Sequence, residues 1–134
     1  MTTEEKIEYW TKISDEDMKV AETMLKNHHR LYTGFMCHQV IEKILKAGYQ
    51  KLKEETPPYT HNLTRLAELA GIDVLFSNEQ NMFLSSLNPL NIEARYPDYK
   101  EQIAKSLTDV RCSQLFEQTI QLHQWIKEEI LSKK

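Results

Sequence analysis

The chain alternates between long segments with helical hydrophobic spacing and short polar connectors. From Thr3 to His29, apolar residues recur at intervals of three and four, and acidic residues stand at the start. In SDEDM, Ser14 precedes Asp17 by three positions, which resembles a capping box with acids in the first turn. The pattern therefore predicts a break at Ile13–Ser14, between a short lead-in helix and the first core helix.

A second helix is predicted from Tyr32 to Glu54, because its apolar residues form a wide stripe at helical spacing. Such a stripe indicates a position near the middle of a bundle. Pro57 and Pro58 cannot continue this helix, since proline lacks an amide donor and disfavours a helical residue before it. The stripe consists of Phe35, Met36, Val40, Ile41, Ile44, Leu45 and Leu52.

The second half of the chain predicts shorter helices and one long final helix. A short helix begins at His61-Asn62 and ends at Gly71, and another runs from Asn78 to Leu87, before Asn88-Pro89. The stretch NIEARYPDYKE is expected to be irregular, because Pro97 disfavours a helical residue before it. The last helix is expected to start between Tyr99 and Thr108, with core candidates Val110, Leu115, Ile120, Leu122, Trp125, Ile126 and Ile130.

Three long helices and about two short ones, joined by modest connectors, predict an all-α fold, an up-and-down antiparallel helical bundle. With 134 residues, the chain is expected to be a single domain over 1–134. Its three glycines and four prolines are too few for a protein of many short strands.

Composition and charge restrict the function classes. The formal net charge of −3 argues against a broadly basic surface, so any contact with nucleic acid must be local. We find no secretory signal and no run of eighteen apolar residues, and we expect a cytoplasmic protein without a membrane segment. Cys37 and Cys112 are expected to be buried thiols in a reducing compartment, with a disulfide as the alternative.

A polar row flanks the apolar stripe of the second helix. His38, Glu42 and Lys46 are spaced by four and share one helix face. One interpretation is a solvated face with ordinary i,i+4 pairs. The other is that His38 and Glu42 point into a groove, where they meet a cation from elsewhere in the chain.

Arg95 is the candidate cation. An arginine between aromatic residues, on a loop stiffened by proline, can offer its planar donor fork to a carboxylate or phosphate, while Tyr96 or Tyr99 stacks against a base. The structural alternative is that Arg95 bonds helix-end carbonyls or Glu42, with Tyr96 at the core edge. His61 follows the proline connector, where helix capping is the ordinary interpretation.

Cofactor and metal motifs are missing from the sequence. It contains no G-x-x-x-x-G-K-S/T, no G-x-G-x-x-G and no G-x-S-x-G. No cysteine or histidine pair has the spacing of a zinc site. We therefore expect neither a cofactor nor a structural metal.

Four pieces in order resemble the HEPN family of helical domains found in higher eukaryotes and prokaryotes. They are Asp17 and Ala21 on the first helix, HQVIEKILKA from His38 to Ala47, the turn ending at His61 with Leu63 and Leu66, and Arg95-Tyr96-Pro97. The last of these is similar to the RYP-type branch without nuclease activity. The resemblance implies a bundle of four to five helices that dimerises, often encoded beside a minimal nucleotidyltransferase.

The resemblance leaves two functions open, because some HEPN members are metal-independent ribonucleases and toxins, and others bind nucleotides or act as scaffolds. The nuclease branch has a histidine four to six residues after an arginine, whereas here Arg30 precedes His38 by eight positions and Arg111 precedes His123 by twelve. Our first hypothesis is a non-catalytic homodimeric module that binds a nucleotide or RNA and partners a nucleotidyltransferase. The rival is a toxin-type RNA endonuclease that uses Arg95 with His38 or His61. The expected ligand-binding residues are Arg95, Tyr96, Tyr99, His38, Glu42, Lys46 and His61.

Overall fold

The computed structural model describes residues 1–92 and 97–133, and within them the chain forms six α-helices and no strand. This confirms the predicted all-α bundle. None of these helices is long and apolar enough to cross a membrane. The helices are α1 (Thr3–Lys26), α2 (Arg30–Lys53), α3 (Leu63–Ala70), α4 (Asn78–Leu87), α5 (Pro97–Ser106) and α6 (Asp109–Ile126), with 3₁₀ turns at Asp73–Leu75 and Asn88–Leu90 and a π-helical turn at Lys127–Leu131.

The first helix is continuous, and the predicted break at Ile13–Ser14 is wrong. The helix begins instead at a complete capping box, in which Thr2 and Glu5 bond each other's backbone amides. Ser14 is buried, and its hydroxyl donates a hydrogen bond of 2.8 Å to the carbonyl of Val40 on α2. A small residue with a satisfied hydroxyl lets α1 and α2 pack closely there.

Side-chain contacts define how the long helices run. Ser14 lies beside Val40, and Trp10 lies beside Lys46, so α1 and α2 are antiparallel. The Cys112 thiol on α6 donates to the Arg30 carbonyl at the start of α2. At the other end of α2, Lys51 donates to the carbonyl of Leu131 at 2.7 Å, so the C-terminal helix runs parallel to α2. Helix α2 therefore packs against both α1 and α6, and α1 also contacts the C-terminal helix directly, since Asp15 lies 3.0 Å from His123.

Local capping explains the shorter helices. Asn62 accepts a hydrogen bond from the Arg65 amide at the start of α3, and Gly71 ends that helix with a φ of 75°. The bounds of α4 agree with the prediction. The prediction of an irregular stretch is wrong from Pro97 onward, because Pro97 begins a third short helix. Proline suits the first helical position, where its missing amide hydrogen costs nothing.

Three residues that the apolar pattern predicted to lie in the core are exposed in the structure. Leu52 on α2 and Ile120 on α6 are exposed, and Val110 is 69% exposed. Cys37 and Cys112 are free and buried, as predicted. Burial raises the pKa of the Cys37 thiol to about 11.

Candidate functional site

The polar row of α2 lies inside the protein, against the connector between α2 and α3. The side chains of His38 and Glu42 are fully buried, and Lys46 is nearly so. The interpretation of this row as a solvated helix face is therefore wrong. A buried carboxylate and a buried ammonium require partners, and those partners define the candidate site.

Glu42 is the centre of the site, with only 1% of its side chain exposed. Its Oε1 accepts a hydrogen bond of 2.8 Å from Nδ1 of His61, and its Oε2 accepts one of 3.0 Å from Lys46. The Lys43 ammonium lies 3.8 Å from Oε2. Burial alone would raise the pKa of Glu42, but the hydrogen bond from His61 and the charges of both lysines lower it below its usual range.

His38 is held in one tautomer. Its Nε2 lies 2.9 Å from the His61 carbonyl oxygen, so Nε2 carries the hydrogen and donates. Burial lowers the pKa of His38 to about 4, against the opposing effect of the Glu42 charge. The ring is therefore neutral at pH 7, and its Nδ1 is an acceptor, 3.5 Å from the side-chain amide of Gln39.

His61 is the member of this cluster that reaches solvent. Since Nδ1 donates to Glu42, the Nε2 atom lies on the opposite side of the ring, and 38% of the side chain is exposed. Tyr59, two residues earlier, is 92% exposed and contacts the His61 ring edge to face, with centroids 5.5 Å apart. The arrangement presents an aromatic face beside an oriented imidazole.

The lysines of α2 are also anchored. Lys46 lies 5.2 Å from the centre of the Trp10 ring, which adds a cation–π contact to its bond with Glu42. Lys43 donates to the side chain of Gln39 at 2.6 Å. Burial raises the pKa of Asp17 on α1, while the charge of Lys43 opposes this shift. Asp17 thereby adds a second carboxylate to the electrostatics of the site.

The structure brings together four of the seven predicted site residues, namely His38, Glu42, Lys46 and His61. Arg95 and Tyr96 lie outside the described residues. Tyr99 lies on α5, partly buried against the hydrophobic core. The predicted contact between Arg95 and the polar row therefore stays a prediction.

Sequence reasoning did not select Tyr59, Lys43 or Trp10 as site residues. Tyr59 lies in the run PPYTH, directly after two prolines and two residues before His61. Because prolines restrict the backbone there, the sequence could have indicated that Tyr59 lies close to His61. Trp10 comes near Lys46 only through the antiparallel packing of α1 on α2, so spacing could not indicate it. In residues 1–92 and 97–133, no three histidine, cysteine or acidic side chains are grouped in a way that could hold a metal ion.

Comparison with known proteins agrees with this architecture. A search of the curated proteins gives no match. The crystal structure of TT1696 from Thermus thermophilus superposes with a TM-score of 0.77 at 17% sequence identity, over 92% of this chain and 97% of that one. The similarity to TT1696 shows a shared fold. The family model for the HEPN domain matches residues 7–130, which is nearly the whole sequence. The chain therefore belongs to the HEPN domain family.

Proposed function

We propose that this protein is a non-catalytic binding module for a nucleotide, either free or within RNA, and that the nucleotide binds beside Tyr59 and His61. The observation that carries the proposal is the exposed ring of Tyr59 next to an imidazole that Glu42 holds in one orientation. Exposed aromatic rings stack on bases, and an oriented N–H or ring nitrogen bonds a phosphate or base edge.

Electrostatics supports a small local site. The positive charges of Lys43 and Lys46 face the carboxylates of Glu42 and Asp17, so the described cluster is close to electrically balanced. Affinity would then come mainly from stacking and hydrogen bonds, with Arg95 and Tyr96 as the proposed additional contacts to phosphate and base. The absence of a large excess of positive charge at this site is consistent with the net charge of −3, which argues against a broadly basic binding surface.

A catalytic role for His38 is disfavoured by its geometry. The ring is buried, and its Nε2 hydrogen is committed to the His61 carbonyl, so it has no access to a reacting hydroxyl. His61 is the alternative acid–base group, because Glu42 orients its ring and 38% of its side chain is exposed. The His61–Glu42 pair is the observation that favours the rival function, a metal-independent RNA endonuclease.

The proposal includes two protein partners. We propose that the chain forms a homodimer and that a minimal nucleotidyltransferase binds it, as the HEPN resemblance implies. A nucleotidyltransferase encoded in the adjacent reading frame and purified with this chain after co-expression would support the second partner. Failure of the two proteins to associate would contradict it.

Binding is tested with ATP and with a fluorescently labelled single-stranded oligouridine, titrated against the full chain. Tyr59→Ala should weaken binding about tenfold, because a base stack contributes about 1–3 kcal/mol, whereas Tyr59→Phe should keep most of the affinity. Tyr32→Ala is the matched control, since Tyr32 is also an exposed tyrosine and lies in the first turn of α2.

The same titrations distinguish the competing outcomes. Equal affinity of the Tyr59→Ala and Tyr32→Ala proteins would contradict the proposed site, and failure of both ligands to bind would contradict the proposed function. If the RNA is cut in the presence of a chelator and His61→Ala abolishes cutting, the endonuclease replaces the binding module as the function.

A further inference from the structure

Two polar side chains follow the Tyr59–His61 surface along the chain, at the start of α3. Asn62 is the next residue after His61, and Arg65 lies three residues further on, in the first turn of the helix. The Asn62 carbonyl accepts a hydrogen bond of 2.9 Å from the Leu66 amide, so this first turn closes at the residue next to His61. Because helical side chains lean toward the N-terminus of their helix, the Arg65 side chain can reach the surface that carries His61.

Asn62 presents an oriented hydrogen-bond donor. Its Oδ1 accepts hydrogen bonds from the Arg65 amide at 3.0 Å and from Nδ2 of Asn88 at 3.4 Å. The carboxamide oxygen is therefore turned toward the helix end, and the Nδ2 group is turned away from it. Asn62 is exposed, and within residues 1–92 and 97–133 its Nδ2 group bonds no protein atom. Two N–H donors are thus available to a ligand.

The Arg65 guanidinium is also available. Its side chain is 59% exposed, and among the described residues its one ionic partner is Glu68, with Nη1 3.7 Å from Oε2. That distance is too long for a hydrogen bond, and exposed pairs of this kind contribute little to stability. The planar donor fork of Arg65 is therefore open to an acceptor from outside the protein.

The available donors belong to side chains, because the backbone amides at the start of α3 are already bonded. The Asn62 amide bonds the Thr60 hydroxyl, the Leu63 amide bonds Asn88, and the Arg65 amide bonds Asn62. A ligand here would therefore meet a carboxamide and a guanidinium. Donors without acceptors select a ligand group that is rich in acceptors, and the guanidinium fork matches the oxygens of a phosphate.

We infer that Asn62 and Arg65 bind the phosphate of the nucleotide whose base stacks on Tyr59. The ligand of this surface is then a phosphorylated nucleotide, and a nucleoside or a free base binds more weakly. The inference rests on the proposed function and adds the two residues that distinguish these ligands. A free nucleotide and an RNA chain present the same phosphate chemistry, so the test includes both.

Calorimetric titration of the full chain with AMP and with adenosine tests the phosphate contact. AMP should bind about tenfold more tightly than adenosine, because charge-assisted hydrogen bonds to phosphate form only with AMP. Arg65→Gln should remove most of this preference and leave the affinity for adenosine unchanged. Arg111→Gln is the matched control, since the Arg111 amide bonds the capping side chain of Thr108 at the start of α6, as the Arg65 amide bonds Asn62.

A second variant removes a donor and keeps the helix cap. Aspartate caps a helix as well as asparagine does, so Asn62→Asp should keep the melting temperature while it replaces the Nδ2 donor with a carboxylate oxygen. The affinity for AMP should then fall about tenfold.

The labelled oligouridine provides the RNA arm of the test. Arg65→Gln should lower its affinity and reduce the slope of log affinity against log salt concentration by about one, because one phosphate contact is lost. An effect of Arg65→Gln on AMP alone assigns the phosphate to a free nucleotide, and an effect on oligouridine alone assigns it to RNA.

The inference and the proposed function fail in different ways. An Arg65→Gln protein that binds both AMP and oligouridine as tightly as the wild type does would overturn the phosphate contact. If Tyr59→Ala still weakens binding in that case, the proposed function stands without this contact. Failure of AMP, ATP and oligouridine to bind the wild-type protein would overturn both.

Discussion

Nδ1 of His61 donates a hydrogen bond of 2.8 Å to Oε1 of Glu42, and this bond ties the α2–α3 connector to the buried face of α2. The other oxygen of Glu42 accepts a bond from Lys46. Because the pKa of Glu42 is lowered by these partners despite its burial, the carboxylate is ionised in the folded protein at neutral pH. The buried Glu42 carboxylate thus holds both the core lysine Lys46 and the partly exposed His61.

Neutralising Glu42 should destabilise the protein strongly. In Glu42→Gln the side chain keeps its shape, but the buried ammonium of Lys46 loses its counter-charge. Breaking a buried ion pair by removing one partner costs about 3–5 kcal/mol, so the free energy of unfolding should fall by about that amount. Urea denaturation at neutral pH measures the change.

An exposed ion pair supplies the control for that measurement. Glu22 on α1 pairs with Lys26 at 3.3 Å, and both side chains are largely exposed. Glu22→Gln should cost less than about 0.5 kcal/mol. If Glu42→Gln were as mild as the control, the buried carboxylate would not hold the cluster together as described.

Stability should fall as the pH is lowered from 6.5 toward 4, in part through His38. Burial lowers the pKa of His38 from 6.5 to about 4, so in this window the unfolded chain binds a proton that the folded protein excludes. Such a shift corresponds to about 3 kcal/mol of stability, present above pH 6.5 and lost as the pH approaches 4. Glu42 acts in the same direction, because its pKa is also lowered.

Urea denaturation at a series of pH values separates His38 from the other groups. His38→Gln can still donate an amide hydrogen to the His61 carbonyl but cannot titrate. Its free energy of unfolding should therefore depend less on pH between 6.5 and 4 than that of the wild type. His123, whose pKa is also lowered by burial, remains in both proteins and cancels in the comparison. Parallel curves for the two proteins would contradict the assignment.

Helix bounds could be predicted where short-range chemistry decides them. The start of α3 follows from the side chain of Asn62, and its end follows from Gly71. The same reasoning failed at Ser14, because a local capping signal competed with the capping box at Thr2 and with a tertiary bond to Val40. The packing of α1 on α2 keeps α1 continuous at Ser14, and the sequence of α1 alone does not contain information about that packing.

The prediction of the site was also limited by the lack of information about packing between helices. The spacing of His38, Glu42 and Lys46 placed them on one face of α2, which the structure confirms, but spacing does not state whether a face is buried. The decisive partner of Glu42 is His61, nineteen positions away and across two prolines. Spacing also fails in the opposite direction: helical periodicity predicted that Val110 lies in the core, but Val110 is exposed.

Asn88 should contribute to the stability of the connector that carries His61. Its Oδ1 accepts a hydrogen bond of 2.8 Å from the amide of Leu63, and its Nδ2 lies 3.2 Å from the hydroxyl of Thr64. Leu63 is buried at the first position of α3, so Asn88→Ala would leave its amide hydrogen without an acceptor. An unsatisfied buried donor costs about 1–3 kcal/mol, and the melting temperature should fall accordingly.

A matched substitution makes the Asn88 prediction specific. Asn78 is exposed at the first position of α4, and Asn78→Ala should leave the melting temperature almost unchanged. Hydrogen exchange in the Asn88→Ala protein should accelerate at the start of α3 before it accelerates in α2, because only the α3 terminus loses an acceptor. Uniform acceleration across both helices would show instead that Asn88 acts on global stability and does not act locally on the His61 connector.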